Sequence, residues 1–230
     1  MIDIHSHILP CIDDGSKSVE ESVSLIKMLA SQGIDKIVAT PHFYANSDTI
    51  DSFIKKREDS FNKLIPHIND SMPKVLLGAE VKYYEGISRL DGLEKLSIEN
   101  SKLLLLEMSM RKWSEYTLRE LFELSCRSDL IIVLAHIERY LRFQSKDTVL
   151  KLVSSGIYMQ SNADFFINIY TRRKALKMLD SNQIHFLGSD CHDLVQRTPQ
   201  ISDAIDYIKK KKNSNFVSKM NRFTNSFFDK

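Results

Sequence analysis

The sequence predicts an α/β fold whose parallel strands, joined by crossover helices, close into a barrel. Three observations carry that prediction. Short β-branched apolar runs alternate with longer helical patterns from end to end, as expected of repeated βα units. Seven such runs can be counted, a barrel-sized number. The first and last runs each lead into a pair of metal-ligand residue types two apart, His5-Ser6-His7 and Asp190-Cys191-His192. Residues two apart on a strand point the same way, so each pair can converge on an ion held between the first and last strands.

The elements follow in order. The first run, residues 1–6, leads into a loop with Asp13-Asp14-Gly15, where Gly suits a left-handed turn. Asp13 is expected to serve the turn and Asp14 a metal. Ser18-Val19-Glu20-Glu21 reads as a capping box. Val19, Val23, Ile26 and Ala30 then share one helical face before Gly33 stops the helix. The second run is 36–40. A helix over 47–64 carries Ile50, Phe53, Ile54, Arg57 and Phe61 at helical spacing. The next runs are 74–79 and 102–106, followed by a helix over 116–128. Runs at 130–135 and 157–161 precede a helical pattern at 175–179, and the last run is 184–188. The basic run 209–212 reads as the solvated end of a late helix, where cations complement the dipole. The last fifteen or so residues, rich in Asn, Ser and Phe, are compatible with a final helix or a docked tail. No Gly-, Pro- or Ser-rich linker interrupts the alternation, so one domain over 1–230 is expected.

Composition sets bounds on function. Lys and Arg number 32 against 30 Asp and Glu, a formal charge of +2. Such balance argues against nucleic-acid or membrane binding through a bulk field. Three cysteines, Cys11, Cys126 and Cys191, cannot all pair and show no Cys-x-x-Cys spacing, which favours a reducing compartment. No apolar stretch is long enough to span a bilayer, and the first residues lack a secretory pattern. A soluble cytoplasmic protein is expected; oligomeric state is not legible.

The residues that follow the apolar runs point to chemistry. They are His5 and His7, His42 after Thr40-Pro41, Glu80, Glu107, His136, and Asp190 with His192. In a βα barrel all strand C-termini lie on one face, where active sites are built. Any one of these residues alone is more often a hydrogen-bonded loop or core group, or a surface charge. Together, so many buried imidazoles and carboxylates require compensating cations, and a polynuclear metal site is expected. His67 and His185 fall off the pattern and read as ordinary residues. A rival motif, Cys191 to Arg197 as Cys-x5-Arg, fits a thiolate phosphatase. Its loop has no glycine, and Asp193 with nearby Asp190 opposes both thiolate and phosphate.

Seven segments together carry a resemblance: His5 to Pro10, Ile12 to Gly15, Thr40-Pro41-His42, Gly78-Ala79-Glu80, Leu106 to Ser109, Ala135 to Tyr140 and Gly188 to Asp193. They resemble the polymerase and histidinol phosphatase (PHP) superfamily and, more narrowly, bacterial manganese-dependent protein-tyrosine phosphatases of capsule and exopolysaccharide loci. The match runs from residue 1 to about 200. The resemblance implies a distorted, TIM-like (β/α)7 barrel, the PHP fold, with three divalent metals, Mn favoured over Fe or Zn. It implies that His5, His7, Glu80 and Asp190 hold the first ion. Glu80 bridges to a second held with Glu107 and His136, while Asp14, His42 and His192 hold the third. Arg139 and Arg197 are the implied phosphate contacts. Ile137 and Thr198 stand where the family often has proline, which touches the Arg197 loop more than the metals. The implied partner is a phosphotyrosyl protein, the C-terminal tail of a tyrosine autokinase.

The ion count and ligand set that the resemblance implies favour the same chemistry by charge. Three divalent ions bring about +6 and Asp14, Glu80, Glu107 and Asp190 about −4, so a phosphate dianion is attracted and a metal-bridging hydroxide can serve as nucleophile. A histidinol-phosphate type small-molecule phosphatase shares the strand-end ligands and is the nearest alternative. A polymerase-associated nuclease lacks a basic groove signal here. A metal-loaded regulator without turnover is the non-enzymatic alternative. Tyr44, Tyr83 and Tyr84 follow strand ends and are candidates to line the cleft.

Overall fold

A computed structural model describes residues 1–228. β1 (Ile2–Ser6) leads to α1 (Val19–Ser31), where the Ser18 hydroxyl accepts the Glu21 N–H at 3.2 Å, the cap expected from the sequence. Next come β2 (Lys36–Ala39), β3 (His42–Phe43) and α2 (Ile50–Leu64), capped by Thr49. β4 (Lys74–Leu77), β5 (Glu80–Lys82) and β6 (Leu103–Glu107) precede α3 (Glu115–Ser125). β7 (Ile131–Leu134), α4 (Lys146–Ser154), β8 (Tyr158–Asn162), α5 (Asp164–Ile167) and α6 (Arg172–Asp180) follow. β9 (Phe186–Gly188), α7 (Ile201–Lys211) and α8 (Ser214–Asn225) complete the order. Among the described residues no helix is long and apolar enough to cross a membrane.

All strand pairings are parallel, in the orders β1-β2-β4 and β3-β5-β6-β7-β8-β9. The two sheets are one ring interrupted twice. The second expected run ends before Pro41, which has no N–H to donate, and a further short strand begins at His42; the third breaks inside, at Gly78-Ala79. Pairing steps across the breaks: the Gly78 N–H donates to the Ala39 carbonyl at 2.9 Å and the Glu80 N–H to that of Pro41 at 3.0 Å. A Cβ on Gly78 would lie 3.1 Å from Ile98 Cγ1 and 3.3 Å from Val38 Cγ1, a tight fit that those side chains would have to yield to. Buried Arg57, placed by sequence on the apolar face of its helix, donates to the Gly78 carbonyl at 2.7 Å. The ring closes where Ser6 bridges Cys191, with the Asp190 N–H on the His5 carbonyl at 2.8 Å and the His7 N–H on that of Cys191 at 2.9 Å.

Strand residues alternate between two cores, as their period of two dictates. Leu104, Leu106, Ile132 and Leu134 pack outward with helix residues such as Leu25, Ile26 and Leu29. Ile2, Ile4, Val38, Leu76, Leu103, Leu105, Val133 and Phe186 form a separate interior cluster that takes no residue from any helix. Phe228, just past α8, joins it, and Phe223 and Phe227 stack on Phe186 at 5.5 and 5.4 Å. As far as Phe228 the C-terminal segment is thus a helix followed by a docked end, so the two readings of the tail describe one structure there; residues 229–230 lie outside the described residues. The interior is filled at the strand starts, and the polar bowl lies at the strand ends.

A candidate metal centre at the strand ends

The candidate side chains other than Asp14, Arg139 and Arg197 are delivered by the ends of strands. His5 lies in β1 and His7 just beyond it; His42 and Glu80 open the short strands after the two breaks; Glu107 ends β6. His136 and Asp190, after β7 and β9, have φ of 33° and 51°. A left-handed backbone is strained for such residues, and here it turns two candidate ligands into the bowl. The loops are packed tightly beneath. A Cβ on Gly15 would lie 2.3 Å from the His7 carbonyl oxygen, and one on Gly188 would lie 2.6 Å from His5 Cβ. Neither position admits a larger residue without displacing a histidine.

Four donor atoms surround one point. His5 Nε2 and His7 Nε2 are 3.2 Å apart, and each lies 3.4 Å from Glu80 Oε2 and 3.5 Å from Asp190 Oδ1. Tetrahedral ligands about 2.1 Å from an ion are separated by about 3.4 Å, so the spacing suits a divalent cation. Glu80 faces two ways, because its Oε1 lies 2.9 Å from His136 Nε2, which is 3.9 Å from Glu107 Oε1. A third group forms where Asp14 Oδ1 lies 3.3 Å from His42 Nε2 and 3.4 Å from His192 Nε2. The groups overlap more than a division into three ions suggests. His42 Nδ1 is 3.0 Å from Glu80 Oε2, His42, Glu80 and Glu107 gather donor atoms within 4.8 Å, and His7 gathers with Asp14, His42 and His192.

Hydrogen bonds from outside the bowl fix the imidazoles. The Nδ1 atoms of His5, His7 and His192 meet Gln160 Oε1 at 3.2 Å, Asp13 Oδ2 at 2.7 Å and the Asp190 carbonyl at 2.9 Å. All three partners are acceptors, so Nδ1 donates and the Nε2 lone pair faces inward, as a metal ligand requires. His192 Nε2 and His42 Nδ1 are buried without a hydrogen-bond partner; Glu80 Oε2 is near His42 Nδ1 but not in bonding geometry. Buried, unpartnered nitrogens among carboxylates are expensive unless a cation takes them. On this chemistry the residues fit divalent metals.

Charge reinforces the point. Burial opposes ionisation of Glu80 and Asp190, yet His5 and the other neighbouring imidazoles hold both carboxyls well below their usual range. Burial likewise works against protonated His5 and His7, yet Glu80, Asp190 and, for His7, Asp13 raise both. Protons on these rings therefore occupy the electrostatic place of a cation. Burial and the charge of His7 push His192 down to about 4.

Several supporting residues had little signal in the sequence. Gln160 is fully buried in β8; its Oε1 accepts the His136 N–H at 2.7 Å as well as the His5 proton, and its Nε2 donates to Asn162 Oδ1 at 2.9 Å. Asn162 Nδ2 then donates to Asp190 Oδ2 at 2.8 Å. Asp13 does serve the turn, accepting the Gly15 N–H at 2.9 Å, and orients His7 too. Asp3, hidden in the first apolar run, accepts from the Ser189 N–H, the Ser189 hydroxyl and the His5 N–H at 2.9, 2.6 and 3.2 Å; burial pushes its carboxyl up to about 6. The polar stretch Gln160-Ser161-Asn162 inside an apolar run was the available clue. Gln160→Ala is expected to weaken metal affinity by about 10- to 100-fold, measured by competition with a chelating dye.

Arg139 and Arg197 both reach Asp190 Oδ2, Arg197 at 2.8 Å, and both stay partly exposed at the mouth. His67 is exposed, and His185 packs far from the bowl, accepting the Met159 N–H at 3.1 Å. Tyr83 is buried and donates to Glu120 at 2.6 Å, so it serves packing; Tyr44 stands against His42 with ring centres 5.4 Å apart. Cys191 is fully buried and burial drives its thiol far above the ordinary range. The loop amides of its Cys-x5-Arg stretch are taken by Asp193, which accepts from Val195 at 2.7 Å and Arg197 at 3.3 Å. No phosphate cradle remains there. Cys191→Ser is expected to leave kcat for an aryl phosphate within about threefold of the parent in steady-state assays.

The family model for capsular polysaccharide synthesis, CpsB/CapC, matches residues 1–226. CapC of Staphylococcus aureus is 35% identical over 211 residues, 86% of this chain and 79% of the relative. The tyrosine-protein phosphatase CpsB of Streptococcus agalactiae is 31% identical over 245 residues, 94% of this chain and 95% of the relative. One solved structure, from work on the metal-dependent tyrosine phosphatases YwqE of Bacillus subtilis and CpsB of Streptococcus pneumoniae, superposes with a TM-score of 0.85. It covers 99% of this chain and 94% of that one at 24% identity, a likeness of fold.

Proposed function

Since the chain belongs to the CpsB/CapC family of capsular polysaccharide synthesis proteins, we propose that it is a metal-dependent protein-tyrosine phosphatase working at the strand-end bowl. The observation that carries the reading is the set of inward Nε2 lone pairs interleaved with buried carboxylates, with two guanidinium groups at the mouth. His5, His7, Glu80 and Asp190 would hold one divalent ion, Glu80, Glu107 and His136 a second, and Asp14, His42 and His192 a third. Mn suits this imidazole and carboxylate set, which contains no thiolate. Such ions, when bound, supply Lewis acidity and lower the pKa of water enough to make a nucleophile at neutral pH.

The chain's own groups do the rest. Arg139 and Arg197 converge on one oxygen of Asp190 from the open side, where their forked donors can meet the equatorial oxygens of a phosphoryl group. Gln160 and Asn162 hold Asp190 in place from behind. Tyrosinate, with a pKa of about 10, leaves with modest proton assistance. A phosphotyrosyl protein is the substrate class, and the C-terminal tail of a tyrosine autokinase is the proposed partner.

The direct test pairs metal analysis of the purified protein with turnover of phosphotyrosyl and phosphoseryl peptides and of histidinol phosphate. Bound divalent metal and a clear phosphotyrosyl preference are expected. Faster turnover of histidinol phosphate would move the protein to the small-molecule phosphatases, and metal-loaded protein without any turnover would make it a regulator.

A further inference from the structure

Resting on the phosphatase reading, we propose that a pocket beside the bowl, formed by Tyr44, Asn46, Lys82 and Tyr84, receives the substrate's aromatic ring and sets the preference for phosphotyrosine over phosphoserine. Two cavities flank Tyr44. One, of about 450 Å³, is lined by Asp13, Asp14, His42 and Asp48 among others; the second, of about 440 Å³, contains Lys82, Tyr84 and no carboxylate. Tyr44 is the wall they share, and its ring is 40% exposed. The second cavity also touches the reaction site directly, because Lys82 Nζ lies 2.9 Å from Glu107 Oε2 and Tyr44 stands against His42.

Depth and charge select this cavity. His5, His7, Glu80, Asp190 and His192 are all at most 4% exposed, so a phosphoryl group must descend below the rim to reach them. A phosphotyrosine does so with its peptide backbone left outside and its ring lodged in the wall. A phosphoserine, with a one-carbon stem, must draw its backbone into the mouth and leaves the pocket empty. The first cavity sets Asp13, Asp14 and Asp48 beside Lys56, whereas the wall of the second has Lys82 and no carboxylate, and the faces of Tyr44 and Tyr84 offer offset or edge contacts to an aryl ring.

The test compares kcat/KM for phosphotyrosyl and phosphoseryl peptides of one sequence in wild type, Tyr44→Leu and Tyr84→Leu. Inhibition by inorganic phosphate and bound metal are measured alongside as probes of the bowl. Each variant is expected to lower the phosphotyrosyl-to-phosphoseryl ratio by roughly tenfold, the scale of one lost ring contact with its buried area, through KM. Phosphate inhibition and metal content stay at the wild-type level. A ratio within about twofold of wild type in both variants overturns the pocket, as does loss of phosphate inhibition or metal in step with activity, which would make these rings supports of the bowl. Absent phosphotyrosyl turnover in the wild type overturns the phosphatase reading and the pocket with it.

Discussion

Asp190→Asn is expected to lower kcat/KM for a phosphotyrosyl peptide by about a thousandfold, roughly 4 kcal/mol of transition-state stabilisation. The carboxylate joins five side chains of the bowl and its mouth: its Oδ1 lies 3.5 Å from both His5 and His7, and its Oδ2 takes Arg139, Arg197 and Asn162. Asparagine keeps the shape but removes the charge that two guanidinium groups share and that the proposed cation would use. The neighbouring Cys191→Ser is the matched control, since it alters the adjacent residue and leaves that charge untouched. Comparable losses in the two variants would return the thiol to consideration; retention of more than about a tenth of the activity in Asp190→Asn would remove this carboxylate from the reaction centre.

Exhaustive chelation is expected to abolish turnover, and added Mn²⁺ to restore it. The same treatment should lower the thermal midpoint, because ions bound only by the native bowl stabilise it by mass action. Stripping should become easier as pH falls. His5 and His7 have raised proton affinity in the absence of metal, so acid supplies the competitor that displaces the ion. The check is a chelator titration at several pH values, read by residual activity and by melting. Activity that survives complete metal removal would sink the hydrolytic scheme proposed for this site.

The gathering of these candidate ligands is legible in the sequence because they carry a double signature, residue type and position. His5, His42, Glu80, Glu107, His136 and Asp190 each sit at or just after an apolar run, and parallel connectivity brings run ends to one face. Pro41 marks the end of its run in the sequence, but the step at Gly78 has no such signal, since an apolar run of normal length hides the point where a strand moves sideways. Gln160 and Asp3 were invisible for a related reason. A single polar residue in an apolar run is silent about its partners, and theirs lie 155 and 186 positions away in His5 and Ser189. The sharing of His42 between Asp14 and Glu80 depends on both ring nitrogens being engaged, which residue spacing does not encode.

The seam between Ser6 and Cys191 has a consequence for how the protein is made. Asp190 pairs with the His5 backbone, and Ser189 is held by Asp3, so residues 3–5 wait for residues made more than 180 positions later before either has its partner. Long-range closure of this kind is slow relative to helix formation. A chain cut before residue 189 therefore lacks the Asp190 side of the bowl, and the site proposed for the ion between His5, His7 and Glu80 is completed only when this seam closes.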